Sequence, residues 1–215
     1  STEESFTTAC NAFSLPYTEG FESGYTHNTN VAGCLSQESV TGTQTWTANN
    51  TLTTYSRTPR TGSWNAFLRY GNDDWLFIPV SLTAGTPYTA EVYANQDGTT
   101  TANSNVGIRY GLTANDTAMT DTIVANTGIS STSQLITGTF TPTTSGTYYV
   151  GINGYMNRSP WYISIDDISI YLIEGGETIL SAFPRELSEH ALKSLKSRKV
   201  NVRLNEPVTN ITDGT

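Results

Sequence analysis

The chain has 215 residues, a net charge of −8 and only 14% charged side chains, which is room for one large β domain or two small units with a real core. An acidic surface of this kind repels nucleic acid and anionic membranes, so neither is expected as a partner. No apolar run approaches the roughly 18 residues that a bilayer-spanning helix needs, and membrane insertion is not expected.

The chain opens STEESF, without Met, and reads as a mature or excised piece, which says nothing against secretion. Residues 1–9 are polar and read as a lead-in or linker. From Cys10 onward, short β-rich runs alternate with Gly, Asn, Asp, Thr and Ser. Strands are predicted at Pro16–Phe21, Gln44–Ala48, Ala66–Tyr70, Trp75–Val80, Tyr88–Ala94, Val106–Leu112, Gln134–Thr141, Thr147–Tyr155 and Tyr162–Leu172. The clearest alternation is TYYVGING, entered through the turn TTSG. Many short strands at regular spacing predict an all-β fold, an antiparallel β-sandwich of jelly-roll type, over residues 10–174.

The tail, residues 175–215, differs in kind. All three lysines lie there, whereas the part before Gly176 holds five arginines and no lysine. Within it Leu187, Ala191, Leu192 and Leu195 have helical spacing, which predicts an amphipathic helix over Glu186–Lys199 behind Pro184. A short strand, Asn201–Leu204, is predicted to follow, so the appendage is helix–strand.

The stretch Trp161–Ile170, WYISIDDISI, poses the main question. Ile163, Ile165, Ile168 and Ile170 mark a buried strand, and the apolar phase changes across Asp166 and Asp167, as at a bulge. Adjacent carboxylates inside a strand are costly unless a cation or several N–H donors compensate them. An acidic partner stretch exists upstream in Tyr17–Glu22. The first and last strands are therefore expected to meet and hold a hard cation, with Ca²⁺ the best match to oxygen ligands.

Other candidates follow from residue type. Cys10 and Cys34 are the only cysteines and read as a disulfide around the first strand, or as two buried thiols. Without C-x-x-C spacing they are not a zinc or redox site. Asp73 and Asp74 read as a solvated loop before a strand, with a second cation site as the sharper alternative. Tyr55, Trp64 and Trp161 sit in polar surroundings and are candidate ligand-binding rings, because aromatic faces stack on sugars. His27, in the polar loop GYTHNTN, is the one histidine before the tail and reads as a surface-loop residue rather than the base of a nucleophile, so catalysis is not expected.

The blocks LPYTEGFESG, GCLSQES, DDWLFIPVSLTAGTPYTAEVYA, VGIRYGLTANDTAMTDT, FTPTTSGTYYVGING and ISIDDISI resemble, in order, the cleaved-adhesin and choice-of-anchor (MAM-like) jelly-roll modules of Bacteroidetes surface proteins. The resemblance implies a secreted or surface-displayed, calcium-binding, non-catalytic module of a longer multidomain polypeptide, which binds an extracellular protein or glycan in adhesion or substrate targeting. It also implies the calcium ligands Glu19, Glu22, Asp166 and Asp167. One position departs: the residue before Phe21, often acidic in those modules, is Gly20. A carbohydrate-binding module of a glycoside hydrolase is the alternative reading. The tail, from YLIEGGETIL onward, resembles an internal piece of a type II NADH dehydrogenase-like (NADH:quinone oxidoreductase-type) flavoprotein. Glu174 matches its ribose-binding acid, but the glycine-rich G-x-G-x-x-G turn is absent, so the tail reads as an orphan fragment, with a genuine helix–strand appendage that docks on the sandwich as the alternative.

Overall fold

The computed structural model describes residues 10–31, 33–50, 57–98, 104–157, 159, 161–172 and 184–197. Eleven strands are assigned among them: β1 (Tyr17–Glu19), β2 (Ser36–Thr41), β3 (Thr47–Asn49), β4 (Asn65–Arg69), β5 (Asn72–Leu82), β6 (Tyr88–Gln96), β7 (Ser104–Gly111), β8 (Asp121–Gly128), β9 (Gln134–Phe140), β10 (Gly146–Met156) and β11 (Tyr162–Leu172). The chain divides into two units, Ser1–Tyr171 and Leu172–Thr215.

The first unit is an antiparallel sandwich of jelly-roll type. One sheet runs β2-β5-β10-β7-β8. The other runs β3-β4-β11-β6-β9, with β1 also paired to β11. Alternate residues of each strand point inward. Leu76, Ile78, Val80, Ile108, Val150 and Ile152 face Ala66, Leu68, Ala90, Val92, Ile163 and Ile165 in one buried cluster that also holds Phe21 and Trp46. Trp46 lies so close to β10 that a Cβ on Gly154 would stand 2.4 Å from its ring, which explains a glycine in the middle of a central strand.

Two strands were not legible in the sequence. β2 pairs only with β5 and β8 only with β7. Both are sheet edges, SQESVT and DTIVANTG, without a single fully buried residue, so neither needs the apolar alternation that marks a strand. The pair Asp73–Asp74 is not a loop before a strand but part of β5. Asp73 accepts from Asn153 Nδ2 at 2.8 Å, while Asp74 points into the sandwich and is fully buried.

The outer face of the β2-β5-β10-β7-β8 sheet carries its own small cluster, Trp75, Phe77 and Met119. Residues 112–120 fold back over it: Asp116 Oδ1 accepts from Trp75 Nε1 at 2.9 Å, and Asp116 N donates to Glu38.

In the second unit, helix α1 spans Arg185–Ser197. It starts behind Pro184, whose carbonyl accepts from Leu187 N, and Arg185 pairs with Glu189 one turn on. Leu187, expected on the apolar stripe, is 55% exposed, so the stripe is narrower than its spacing implied. The predicted strand Asn201–Leu204 lies outside the described residues.

Burial pushes the Asp74 carboxyl up from 3.8 to about 8. The folded chain therefore holds this proton over a pH range in which the unfolded chain has lost it, and the contribution is one of stability that declines as pH rises. Denaturant titrations from pH 4 to pH 8 should show stability falling, with Asp97 and Asp166, each pushed up to about 6 by burial, adding to the lower part of the slope. Asp74→Asn should flatten the upper part; an unchanged slope would show that Asp74 is ionised in the fold.

Candidate functional site

β11 changes partner in mid-strand. Tyr162–Ile165 pair with β4, whereas Ile168–Ile170 pair with β1. Ile163 and Ile165 face the core before the switch, Ile168 and Ile170 after it, and the odd residue is absorbed at Asp167, whose φ of 47° is left-handed. The predicted meeting of the first and last strands is thus present, with the two acids at the join.

A strap of residues 57–64 is tied across this join by backbone N–H groups. Arg60 N and Thr61 N donate to Asp166 Oδ2 at 2.7 and 3.2 Å, and Asp167 N to Asp166 Oδ1 at 2.8 Å. Ser63 N and Trp64 N donate to Glu22 Oε1 at 2.8 and 2.9 Å. Gly62 allows the tight turn between them: its φ is +59°, and a Cβ there would lie 2.1 Å from Glu22 Oε1. Glu19 faces another way, accepting from Phe21 N at 2.6 Å and Tyr25 OH at 2.8 Å. Burial, and then the Glu19 carboxylate, push the Tyr25 hydroxyl well above the usual phenol range.

The side chain of Arg60 completes the corner. Its Nη1 lies 2.8 Å from Asp167 Oδ2, and the guanidinium stacks 3.5 Å from the Tyr93 ring centroid. Thr61 Oγ1 donates to Asp167 Oδ1 at 2.6 Å. Of the ligand set Glu19, Glu22, Asp166 and Asp167, the last three are gathered around one strap, and Glu19 serves the Tyr17–Tyr25 side. Among the described residues no group of three or more His, Cys, Asp or Glu is placed to hold a metal ion. Gly20 sits where a side chain would meet both Asp167 and Glu22, so the extra acid common at that position would have added a carboxylate here. The residues as arranged do not fit a calcium cage: N–H donors and a guanidinium supply the compensation that buried carboxylates need.

The strap also dresses the outer face of the second sheet. Two fully buried amides grip its start, with Asn49 Nδ2 and Asn65 Nδ2 donating to Arg57 O at 3.2 and 2.9 Å, and Asn49 Nδ2 to Asn65 Oδ1 at 2.9 Å. This holds the Arg57 guanidinium 4.4 Å from the Phe67 ring centroid and 4.9 Å from that of Tyr162. Clefts open on this face. One, of about 350 Å³, is lined by Asn28, Asn30, Thr43, Gln44, Thr45, Thr47 and Phe67. Another, of about 310 Å³, is lined by Thr58, Pro59, Arg60, Asn95, Ser131 and Ser133.

The predicted ligand rings stand elsewhere. Trp64 and Trp161 are half-buried against the sandwich core, and Trp161 lies flat on Gly98, whose Cβ would meet its ring at 2.0 Å. Both owe their place to packing, which polar neighbours in sequence conceal. Tyr55 lies outside the described residues. Cys10 and Cys34 form a disulfide with Cα atoms 5.3 Å apart. His27 Nδ1 accepts from Asn50 N at 3.2 Å.

The structure is similar to the K1 cleaved adhesin domain of Lys-gingipain from Porphyromonas gingivalis W83, at 15% identity over 73% of this chain and 97% of that one, with a TM-score of 0.54. The fold is cleaved-adhesin-like. The K2 cleaved adhesin domain of Lys-gingipain gives the same TM-score of 0.54 at 19% identity, again over 73% of this chain and 97% of that one. A GH51 α-L-arabinofuranosidase, solved with arabinose bound, matches 72% of this chain with 26% of its own length, at 11% identity and a TM-score of 0.51. No family model and no curated protein matches. Nothing supports the flavoprotein resemblance of the tail, and Glu174 lies outside the described residues.

Excess EDTA should leave the melting temperature unchanged, while Arg60→Ala lowers stability by about 1 kcal/mol through the lost ion pair and ring contact. A fall with EDTA that Ca²⁺ restores would show that a cation displaces Arg60 from Asp167.

Proposed function

We propose that this chain is a non-catalytic adhesion or substrate-targeting module of an exported, surface-associated protein, which binds an extracellular glycan or protein on the outer face of its second sheet. The observation that carries the reading is that face itself: Arg57 stacked over Phe67 and Tyr162, with polar clefts beside it. Such a surface combines a rigid aromatic–guanidinium platform with amide and hydroxyl groups that fix a ligand's orientation. The opposite sheet has its outer aromatic cluster covered by residues 112–120, which favours the second sheet as the recognition surface.

Two further features agree. A disulfide suits an oxidising compartment. The carboxylates at the β11 join are engaged by N–H donors and Arg60, a poor arrangement for acid–base work, and His27 is held by Asn50. The cleaved-adhesin-like fold and the arabinofuranosidase likeness are both compatible with a binding module attached to a larger protein.

Retention of the full chain on immobilised oligosaccharides and on a panel of extracellular matrix proteins tests this reading. Arg57→Ala should weaken retention on whichever ligand class is bound by roughly tenfold while the melting temperature moves little. Retention equal to that of the unaltered chain would place the ligand away from this face.

A further inference from the structure

The cleft beside β3 has a chemistry of its own. Its lining consists of Asn28, Asn30, Thr43, Gln44, Thr45 and Thr47 around the edge of Phe67. Every polar group there is an uncharged amide or hydroxyl, in a chain whose net charge is −8. Amides and hydroxyls both donate and accept, so they suit a ligand that does the same around its whole perimeter. A carboxylate or sulfate ester would find no cation among these lining residues, the nearby Arg57 guanidinium being stacked on Phe67 and Tyr162. A cationic ligand would find no carboxylate. A purely apolar ligand would leave the amides unpaired.

The frame is held independently of any ligand. Asn28 N donates to Ala48 O at 2.9 Å, Ala48 N to Thr29 O at 2.9 Å, and Val31 N to Trp46 O at 2.9 Å. Asn30 forms a bridge with Thr47. On the opposite wall, Asn72 Oδ1 accepts from Thr43 N and Gln44 N, both at 3.0 Å. Gln37 Nε2 donates to Val31 O at 2.7 Å and Trp46 O at 3.1 Å. With the backbone on both walls fixed in this way, the side chains of Asn28, Asn30, Thr43 and Gln44 are exposed on a rigid rim. The buried Thr45 hydroxyl behind it has no hydrogen-bond partner. Preorganisation of this kind lowers the ordering cost of binding.

We propose that this cleft binds the end of a neutral oligosaccharide, with the rim amides of Asn30 and Gln44 on its hydroxyls and the edge of the Phe67 ring at its floor. This deepens the module reading and rests on it. The volume of about 350 Å³ lies at the small end of the roughly 300–1,000 Å³ range of small-molecule sites, which suits a terminal unit better than the middle of a long chain.

The probe is an immobilised panel of gluco-, xylo-, manno- and galacto-configured oligosaccharides, with sialylated and uronate-bearing members as charged controls. The full chain is compared with Asn30→Ala and Gln44→Ala, both at exposed positions. The expected result is retention on at least one neutral member, weakened at least about tenfold in each variant, with unchanged melting temperature. Competition by the free monosaccharide of the terminal unit should release the chain.

Neutral binding that survives both substitutions overturns the cleft while leaving the module reading intact. Binding confined to charged members overturns the neutral class. Retention on matrix proteins with none on any glycan overturns the glycan and leaves the module. Retention on neither kind of ligand overturns both.

Discussion

The structure depends on how β11 accommodates two carboxylates without losing its place in the middle of its sheet. The strand serves β4 up to Ile165 and β1 from Ile168, and the residue that breaks the alternation, Asp167, takes a left-handed conformation. That irregularity lets one strand join two short partners along the same edge while keeping four isoleucines in the core. It also leaves Asp166 almost fully buried, and a buried carboxylate must find donors. The backbone of residues 60–61 provides them, so the strap is a consequence of the strand irregularity.

The strap orders one part of the outer face of the second sheet. Asn49 and Asn65 hold one end of it through the Arg57 carbonyl, and Glu22 holds the other through Ser63 and Trp64. Between these anchors the two guanidinium groups are laid on aromatic rings, Arg57 on Phe67 and Tyr162, Arg60 on Tyr93. A charged group over an aromatic face in a partly desolvated setting is a strong orienting contact. The same acids that resemble a calcium site in sequence thus act here as the pegs that hold the strap. Gly20 brings no carboxylate to the join, and Arg60 supplies a cation to Asp167.

Much of this was legible beforehand. The inward-facing residues of β5, β7, β10 and β11 alternate with outward ones over long runs, because a strand in the middle of a sandwich must bury one face whatever its neighbours are. The bulge at Asp166–Asp167 was visible as a phase change for the same reason. The polar edges β2 and β8 were not, since an edge strand is held by main-chain bonds to one neighbour and leaves no apolar signature. In TGTQTWTANN the alternation was present, with Trp46 and Ala48 inward and Thr45 and Thr47 outward. Read as a strand signal alone, it concealed that the outward threonines line a cleft. Trp64 and Trp161 have polar neighbours in the sequence, while the core surfaces against which they are half-buried are built by distant parts of the chain.

By itself, then, the sequence determined the fold class, the meeting of the first and last strands, the irregularity between Ile165 and Ile168, and a chemically distinct helical tail. These are set by periodicity and by the cost of burying charge, both local properties of a chain. Tertiary structure alone decided what the acids do, because a carboxylate's role depends on which donor arrives. Arg60 and Thr61 reach Asp167 and Asp166 from more than 100 positions away. It likewise decided which polar residues converge. Asn28, Gln44 and Phe67 come from separate segments and share a cleft only because β3 lies between the loop before it and the strand after it. Convergence of that kind has no period and leaves no local trace.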